Sequence, residues 1–442
     1  MKKIAFRTIV GLLLMASIAT ACAPKSPAPA ATSQPATTEV SVETSAEEPV
    51  TLEFWTYADI AQGAGLEYLN RMIAKFQETH PNVKVNITGK GDDDLLASLV
   101  TAAASGTMPD VFEQSTRSGA DLRKAGAVTN IYDRWMAMPE EYRSQFNPDL
   151  LKLVTPEPGV MYAIPHTGYG NLMYRNLTVL KAAGIDPNEK VDTWDKWLEQ
   201  MKKIGDVGYK AVPNMATDWF GYGSIYGGIG TREEWGIDFA NNKTLVNPDK
   251  WAKTAEFLIA AKPYTTDLPV LDQGVTDLFI ANQLAFYFCG SWCDPTFVAA
   301  KETSGLEYDW ALIPGATPER HGGVSGYELI SMNTKSAHAD LAWEFLTFMT
   351  GYDAMYALGQ DLGRFNANAK AMAAVDNPLI AITVEAADGA VYNAAPFFVE
   401  PYPTDYYPVM SANMTDIYEG KMTPEEGAQK LIADVNEVIA NR

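Results

Sequence analysis

The residues best suited to chemistry in this 442-residue chain are aromatic, and eight positions concentrate them: Phe286-Tyr287-Phe288-Cys289-Gly290-Ser291-Trp292-Cys293. An apolar strand ends here by delivering one indole into a glycine-flanked turn. That arrangement presents a flat apolar face to a ligand; the plainer alternative is a Trp plugging a core. Cys289 and Cys293 are close enough in sequence to bridge if the turn between them is tight, and otherwise are reduced and buried. Catalytic patterns are missing. Gly323-Val324-Ser325-Gly326 has the wrong spacing for a nucleophile elbow, and neither a phosphate loop nor a Gly-x-Gly-x-x-Gly turn occurs. The histidines His80, His166, His321 and His338 fit no zinc pattern, and no calcium-ligand spacing follows Asp92-Asp93-Asp94. No metal and no cofactor is therefore expected. With 55 acidic residues, spacing neither supports nor removes a carboxylate pair for glycoside hydrolysis.

The elements that must position these groups belong to an acidic, exported chain. A net charge of −21 argues against nucleic acid and against electrostatic binding to an anionic membrane, since both need a basic face. Met1-Lys2-Lys3 and Arg7 precede a short apolar run, Ile9 to Ile18, and then Ala19-Thr20-Ala21-Cys22. Residues 1–21 resemble a bacterial lipoprotein signal, with cleavage before Cys22 and lipidation of its thiol. Ala19 departs from the large aliphatic residue usual there, and a plain secretory signal is the alternative. Residues 22–49 place Pro24, Pro27, Pro29, Pro35 and Pro49 among Ala, Ser and Thr; such a segment reads as a disordered tether reaching roughly 80 Å if extended.

The length exceeds one ordinary core and predicts two lobes. Alternation predicts strands at 51–57 and 83–87 and a third from Asp110. Helical spacing of Leu66, Leu69, Met72, Ile73 and Phe76, and of Leu95, Leu96, Leu99 and Val100, predicts the helices between them. Strand–helix–strand–helix–strand with short links is a parallel α/β unit. A second α/β run follows Pro165, with Thr193 capping a helix. Residues 206–248 read as irregular and aromatic-rich, a functional loop or small subdomain. Thr423-Pro424-Glu425-Glu426 is a capping box opening a final amphipathic helix.

In that order, several short motifs resemble the bacterial extracellular solute-binding proteins of ABC importers, the maltose-binding-protein-like family. They are Leu52-Glu53-Phe54-Trp55, Ala74-Lys75-Phe76 with His80-Pro81, Ser105-Gly106-Thr107-Met108-Pro109-Asp110-Val111, and Tyr162-Ala163-Ile164-Pro165. Tyr174-Arg175-Asn176-Leu177, Thr193-Trp194-Asp195, Gly290-Ser291-Trp292 and Ala342-Trp343-Glu344-Phe345-Leu346 complete the set. The resemblance implies an α/β fold of the two-lobed periplasmic-binding-protein type II, with solute held between lobes that close as a hinge. One lobe would take 50–164 and 315–365 and the other 165–314, with C-terminal helices 366–442 packing across both.

The resemblance also nominates solute contacts at strand ends facing the cleft. Trp55, Tyr57 and Asp59 follow the first strand; Glu113, Gln114 and Arg117 follow the third. His166 and Tyr169 stand at the crossing, Asp218 and Trp219 in the irregular stretch, and Trp292 in the turn described above. Tyr327, Arg364 and Tyr406 (with Tyr407 beside it) come later. Asp59 could equally cap a helix, and His166 could be a structural donor at the hinge. Rings that lie on a pyranose face, with acids and Arg for its hydroxyls, suit an uncharged sugar better than a phosphate. The implied protein is a non-catalytic, monomeric, lipid-anchored receptor on the extracytoplasmic face of the membrane. It would deliver a carbohydrate, an oligosaccharide, to an ABC permease. A surface glycan hydrolase, a sensor partner, or a receptor of the same fold for a non-sugar solute are the rival readings.

Overall fold

The computed structural model describes residues 48–115, 119–238, 240–390 and 403–441. The signal, Cys22, most of the tether and Arg117 lie outside them. Among the described residues no helix is long and apolar enough to cross a membrane.

The first strand, Val50–Tyr57, buries Leu52, Phe54 and Thr56 on one face. It pairs in parallel with Val83–Lys90 and with Val111–Ser115, as the strand–helix–strand pattern requires. Helix Gly63–Gln77 covers it, burying Tyr68, Leu69, Met72, Ile73 and Phe76 at the spacing read from sequence. Two antiparallel strands complete a mixed five-stranded sheet: Ser325–Met332 beside the third strand, then Ile164–Gly170 at the edge.

A separate three-stranded antiparallel sheet has Leu172–Asn176 at its centre, between Phe286–Cys289 and Tyr308–Ala311. Buried side chains divide accordingly. One core surrounds the first sheet, and two adjoining clusters surround the second. The chain passes between the sheets at Gly170–Asn171 and again between Ala311 and Ser325. The two crossings are bonded side by side by the Asn171 amide, which donates to the Val324 carbonyl (3.1 Å); the neighbouring Gly323 amide donates to the Ser224 carbonyl (2.8 Å). Gly323 has φ +131°, which a side chain would strain.

Two segments differ from the sequence reading. Within 206–248 there is a buried helix, Trp219–Gly227, with Phe220, Tyr222, Ile225 and Tyr226 inside the second core. Its Gly- and Tyr-rich sequence has poor helix propensity; packing and end caps override it. At the N-terminus the Asp218 carboxylate accepts from the Gly221 amide (2.8 Å). At the C-terminus Arg320 donates to the Gly227 carbonyl (3.3 Å) and to that of Gly230.

The C-terminal residues, read as lying across both lobes, divide instead. Helix Pro378–Gly389 packs against strands of both sheets. Pro403–Tyr418 and Pro424–Ala440 commit to the second core through Met410, Met414, Ile417, Leu431 and Val435. Their partner there is helix Pro248–Ala261, whose Trp251 indole N–H donates to Asn413 Oδ1 (3.0 Å). Because Leu431 is fully buried in that contact, Leu431→Ala should cost about 2–5 kcal/mol. Urea unfolding followed by tryptophan fluorescence would report it as a lower midpoint at unchanged slope.

Candidate functional site

The carboxyl ends of the three parallel strands, the crossing strand Ile164–Gly170 and the second-lobe turns open onto one cleft of about 420 Å³. Its two sides differ in chemistry. The second-lobe side is a ribbon of rings. Trp219 lies nearly parallel to Tyr407 (5.3 Å, 22°) and meets Phe220 edge-on (5.6 Å). Phe220 continues to Trp292 (6.1 Å), and Trp292 meets Tyr169 of the crossing strand edge-on (5.7 Å, 85°). Behind the ribbon, the Trp235 indole N–H donates to the Tyr407 hydroxyl (3.0 Å) and fixes that ring.

The first-lobe side is polar and already paired. Tyr57 donates to Glu328 Oε2 (2.6 Å). Burial, reinforced by the Glu328 charge, pushes the Tyr57 phenol well above its usual range, so it stays a donor at any physiological pH. Arg364 forms an ion pair with Asp59. The Lys90 ammonium sits 5.0 Å from the Trp55 ring centroid, next to Asp92 in the cleft lining.

Of the residues nominated from sequence, Tyr57, Asp59, Tyr169, Trp219, Trp292, Tyr327 and Arg364 line this cleft. The others described do not. Trp55 lies beneath Lys90 and packs on the first core. Gln114 is buried and donates to the Ser331 hydroxyl (2.6 Å). Tyr406 is buried and turns Tyr407 toward the cleft instead, the two rings meeting at 89°. Asp218 serves the backbone: besides capping its helix it accepts from the Val270 amide (3.0 Å), and burial raises its carboxyl. It thereby ties Trp219 and Phe220 to the turn carrying Leu271, another lining residue.

Glu113 and His166 were nominated as solute contacts and are instead partners of each other. His166 Nδ1 and the Thr56 hydroxyl both bond the Glu113 carboxylate, and all three residues are buried. Burial alone would raise the Glu113 carboxyl. The adjacent His166, the Thr56 hydroxyl and the more distant Arg364 outweigh it and hold the group below the ordinary 4.5. Lys90, Asp92, Phe220 and Glu328 line the cleft and were not nominated. The available signal was uniform treatment of parallel strand ends, which points to Lys90–Asp92 after the second strand as much as to Tyr57 after the first.

Gly290 seats the indole, because a Cβ there would overlap the Trp292 ring. Cys289 and Cys293 are joined in a disulfide.

Two lobes, two bonded crossings and a cleft at the strand ends define a binding protein of the hinged, two-lobed kind. Residues 61–356 match the family model for bacterial extracellular solute-binding proteins, and the chain belongs to that family. Solved structures share the fold at low identity, the periplasmic-binding-protein type II architecture. An ABC transporter solute-binding protein of Thermotoga lettingae, bound to α-D-tagatose, is similar over 88% of this chain and 99% of its own (TM-score 0.74, 21% identity). The GacH receptor of Streptomyces glaucescens, solved with acarbose, is similar over 89% and 100% (TM-score 0.75, 17% identity). Among curated relatives, the sn-glycerol-3-phosphate-binding periplasmic protein UgpB of Brucella abortus is 25% identical over 145 residues, 32% of this chain. The match spans 34% of that relative's length.

The Glu113 carboxyl, lowered in the fold, makes a contribution to stability that is present above its ordinary value of 4.5 and lost as pH falls through the folded value. Glu113→Gln should therefore destabilise the protein at pH 7 by about 1–3 kcal/mol, the cost of disrupting buried hydrogen bonds to a carboxylate. The gap to wild type should narrow as the pH of urea unfolding is taken down to 3; a gap that ignores pH would show that Glu113 is not held as an ion.

Proposed function

We propose that this protein captures an uncharged carbohydrate, an oligosaccharide, and presents it to the membrane subunits of an ABC importer without altering it. The observation that carries this reading is the division of the cleft: a continuous ring surface on one side faces paired carboxylates, Arg364 and a phenol on the other. A pyranose has an apolar C–H face for the first and hydroxyls for the second. Carboxylates and Arg accept and donate in pairs, which matches vicinal hydroxyls.

The curated relatives named for sn-glycerol 3-phosphate raise a rival ligand class. Against it, the described lining residues include three carboxylates, Asp59, Asp92 and Glu328, and two cations, Lys90 and Arg364, of which Arg364 is engaged by Asp59. A dianionic phosphate would meet net repulsion there, whereas a neutral polyol would not. The solved neighbours named with tagatose and acarbose support the sugar reading. Family membership supports delivery to a permease rather than hydrolysis. Export and anchoring through lipid on Cys22, with the monomeric receptor on the extracytoplasmic face, complete the reading and rest on the leader and tether.

Titration calorimetry of the wild-type protein against tagatose, maltose, maltotriose, acarbose and sn-glycerol 3-phosphate tests the class of solute. A neutral sugar should bind and the phosphate should not; phosphate binding alone would overturn the assignment. Trp219→Ala and Trp292→Ala should each weaken the sugar by on the order of 2 kcal/mol, about thirtyfold. Release of shortened products by the purified protein would establish a hydrolase instead.

A further inference from the structure

The turn between Phe286–Cys289 and helix Asp294–Ser304 is braced more heavily than a connection of its length needs. Cys289 is the last residue of its strand, almost wholly buried and paired with Leu172. Cys293 ends the single helical turn Ser291–Cys293 and leads into the next helix, which is anchored by the fully buried Phe297. The disulfide therefore joins two fixed points across four residues, with Cα atoms 6.2 Å apart, and Trp292 lies inside the loop. A third fixed point is the Tyr174 hydroxyl, which donates to the Gly290 carbonyl (2.9 Å) from the centre of the sheet. Within this frame the Cys293 amide donates to the Gly290 carbonyl (3.2 Å), and the indole fits only because Gly290 has no Cβ.

So short a covalent loop removes little conformational freedom from the unfolded chain compared with a long one. Its effect is local. An indole in an unbraced turn would have to be ordered when solute arrives, and immobilising a side chain and its loop subtracts from affinity. Tyr169 and Phe220 both contact this indole, so a displaced Trp292 would also break the ribbon between them.

We infer that the Cys289–Cys293 disulfide, with Gly290, positions Trp292 as a preformed platform for solute, and that it acts on affinity through this one side chain. The inference rests on the cleft being the solute site. Its test is a double-mutant cycle. Cys293→Ser breaks the bridge while leaving Cys289 to fill its place in the core. With maltotriose, or another sugar of the panel above that binds the wild-type protein, Cys293→Ser should weaken binding about five- to tenfold. The same substitution made in Trp292→Ala should change affinity less than twofold. Equal losses in the two backgrounds, or no loss in either, would overturn the inference, since a merely structural bridge would act irrespective of Trp292.

A measurement without ligand keeps the inference separate from the choice of solute. Hydrogen exchange of the Cys293 and Asp294 amides, both bonded within the turn, should quicken at least tenfold in Cys293→Ser, with the thermal midpoint falling only slightly. Unchanged exchange would sink the positioning role even if sugars bind. If exchange quickens and no sugar binds, the carbohydrate reading fails and the positioning of Trp292 stands.

Discussion

The pair of crossings at Gly170–Asn171 and Gly323–Val324 is the constraint on which the rest depends. Asn171 bonds Val324 through the backbone, and its side-chain amide donates to the Ser224 hydroxyl (2.8 Å). Ser224 lies in helix Trp219–Gly227, and its hydroxyl in turn donates to the Phe220 carbonyl (2.6 Å). The same few atoms thus join one sheet to the other and set the helix that carries Trp219 and Phe220. Gly170 allows helix Pro378–Gly389 to lie directly on the crossing, because a Cβ there would meet that helix's backbone at Thr383 and Ala387. Motion about such a narrow strip, bonded through its backbone, leaves both cores intact. That is the mechanical requirement for lobes that close without repacking.

From that strip the two sides of the cleft inherit different duties. The aromatic ribbon must keep apolar faces exposed to water and yet not collapse into the second core. Rings held by their neighbours, edge-on at Trp219–Phe220 and Trp292–Tyr169 and stacked at Trp219–Tyr407, with Tyr407 fixed by the Trp235 indole, meet this requirement. The polar side meets the opposite requirement. Its acids and its Arg must stay oriented before solute arrives, and pairing Asp59 with Arg364 and Glu328 with Tyr57 does this without deep burial of a lone charge.

Much of the first lobe was legible because its information is local. Alternation in Val50–Tyr57 and helical spacing in Gly63–Gln77 each report one buried face, and the short links leave parallel pairing as the economical arrangement. Helix Trp219–Gly227 was illegible for the converse reason: its stability comes from Asp218, Arg320 and the burial of Tyr222 and Tyr226, none of which shows in local propensity. In the site, aromatic residues at strand ends and turns were recognisable from type and place. Charged residues were not. Glu113 lies within the third strand and Asp59 just beyond the first; one is turned inward to His166 and the other pairs with Arg364. Only partners distant in sequence decide between those fates.

That distinction bears on what a receptor of this design can discriminate. A buried carboxylate–imidazole hydrogen bond such as Glu113–His166 contributes to holding the crossing strand against the sheet but offers nothing to solute. In a cleft pair such as Asp59–Arg364 both partners line the cleft while their charges cancel. A solute carrying its own charge would have to break that cancellation, and the cost of leaving either partner uncompensated exceeds the worth of one new hydrogen bond. A neutral solute can add bonds to the pair without separating it. On the proposed sugar reading, selectivity against ions would come from how the cleft's charges are joined, and selectivity among neutral solutes from the spacing and tilt of the rings opposite.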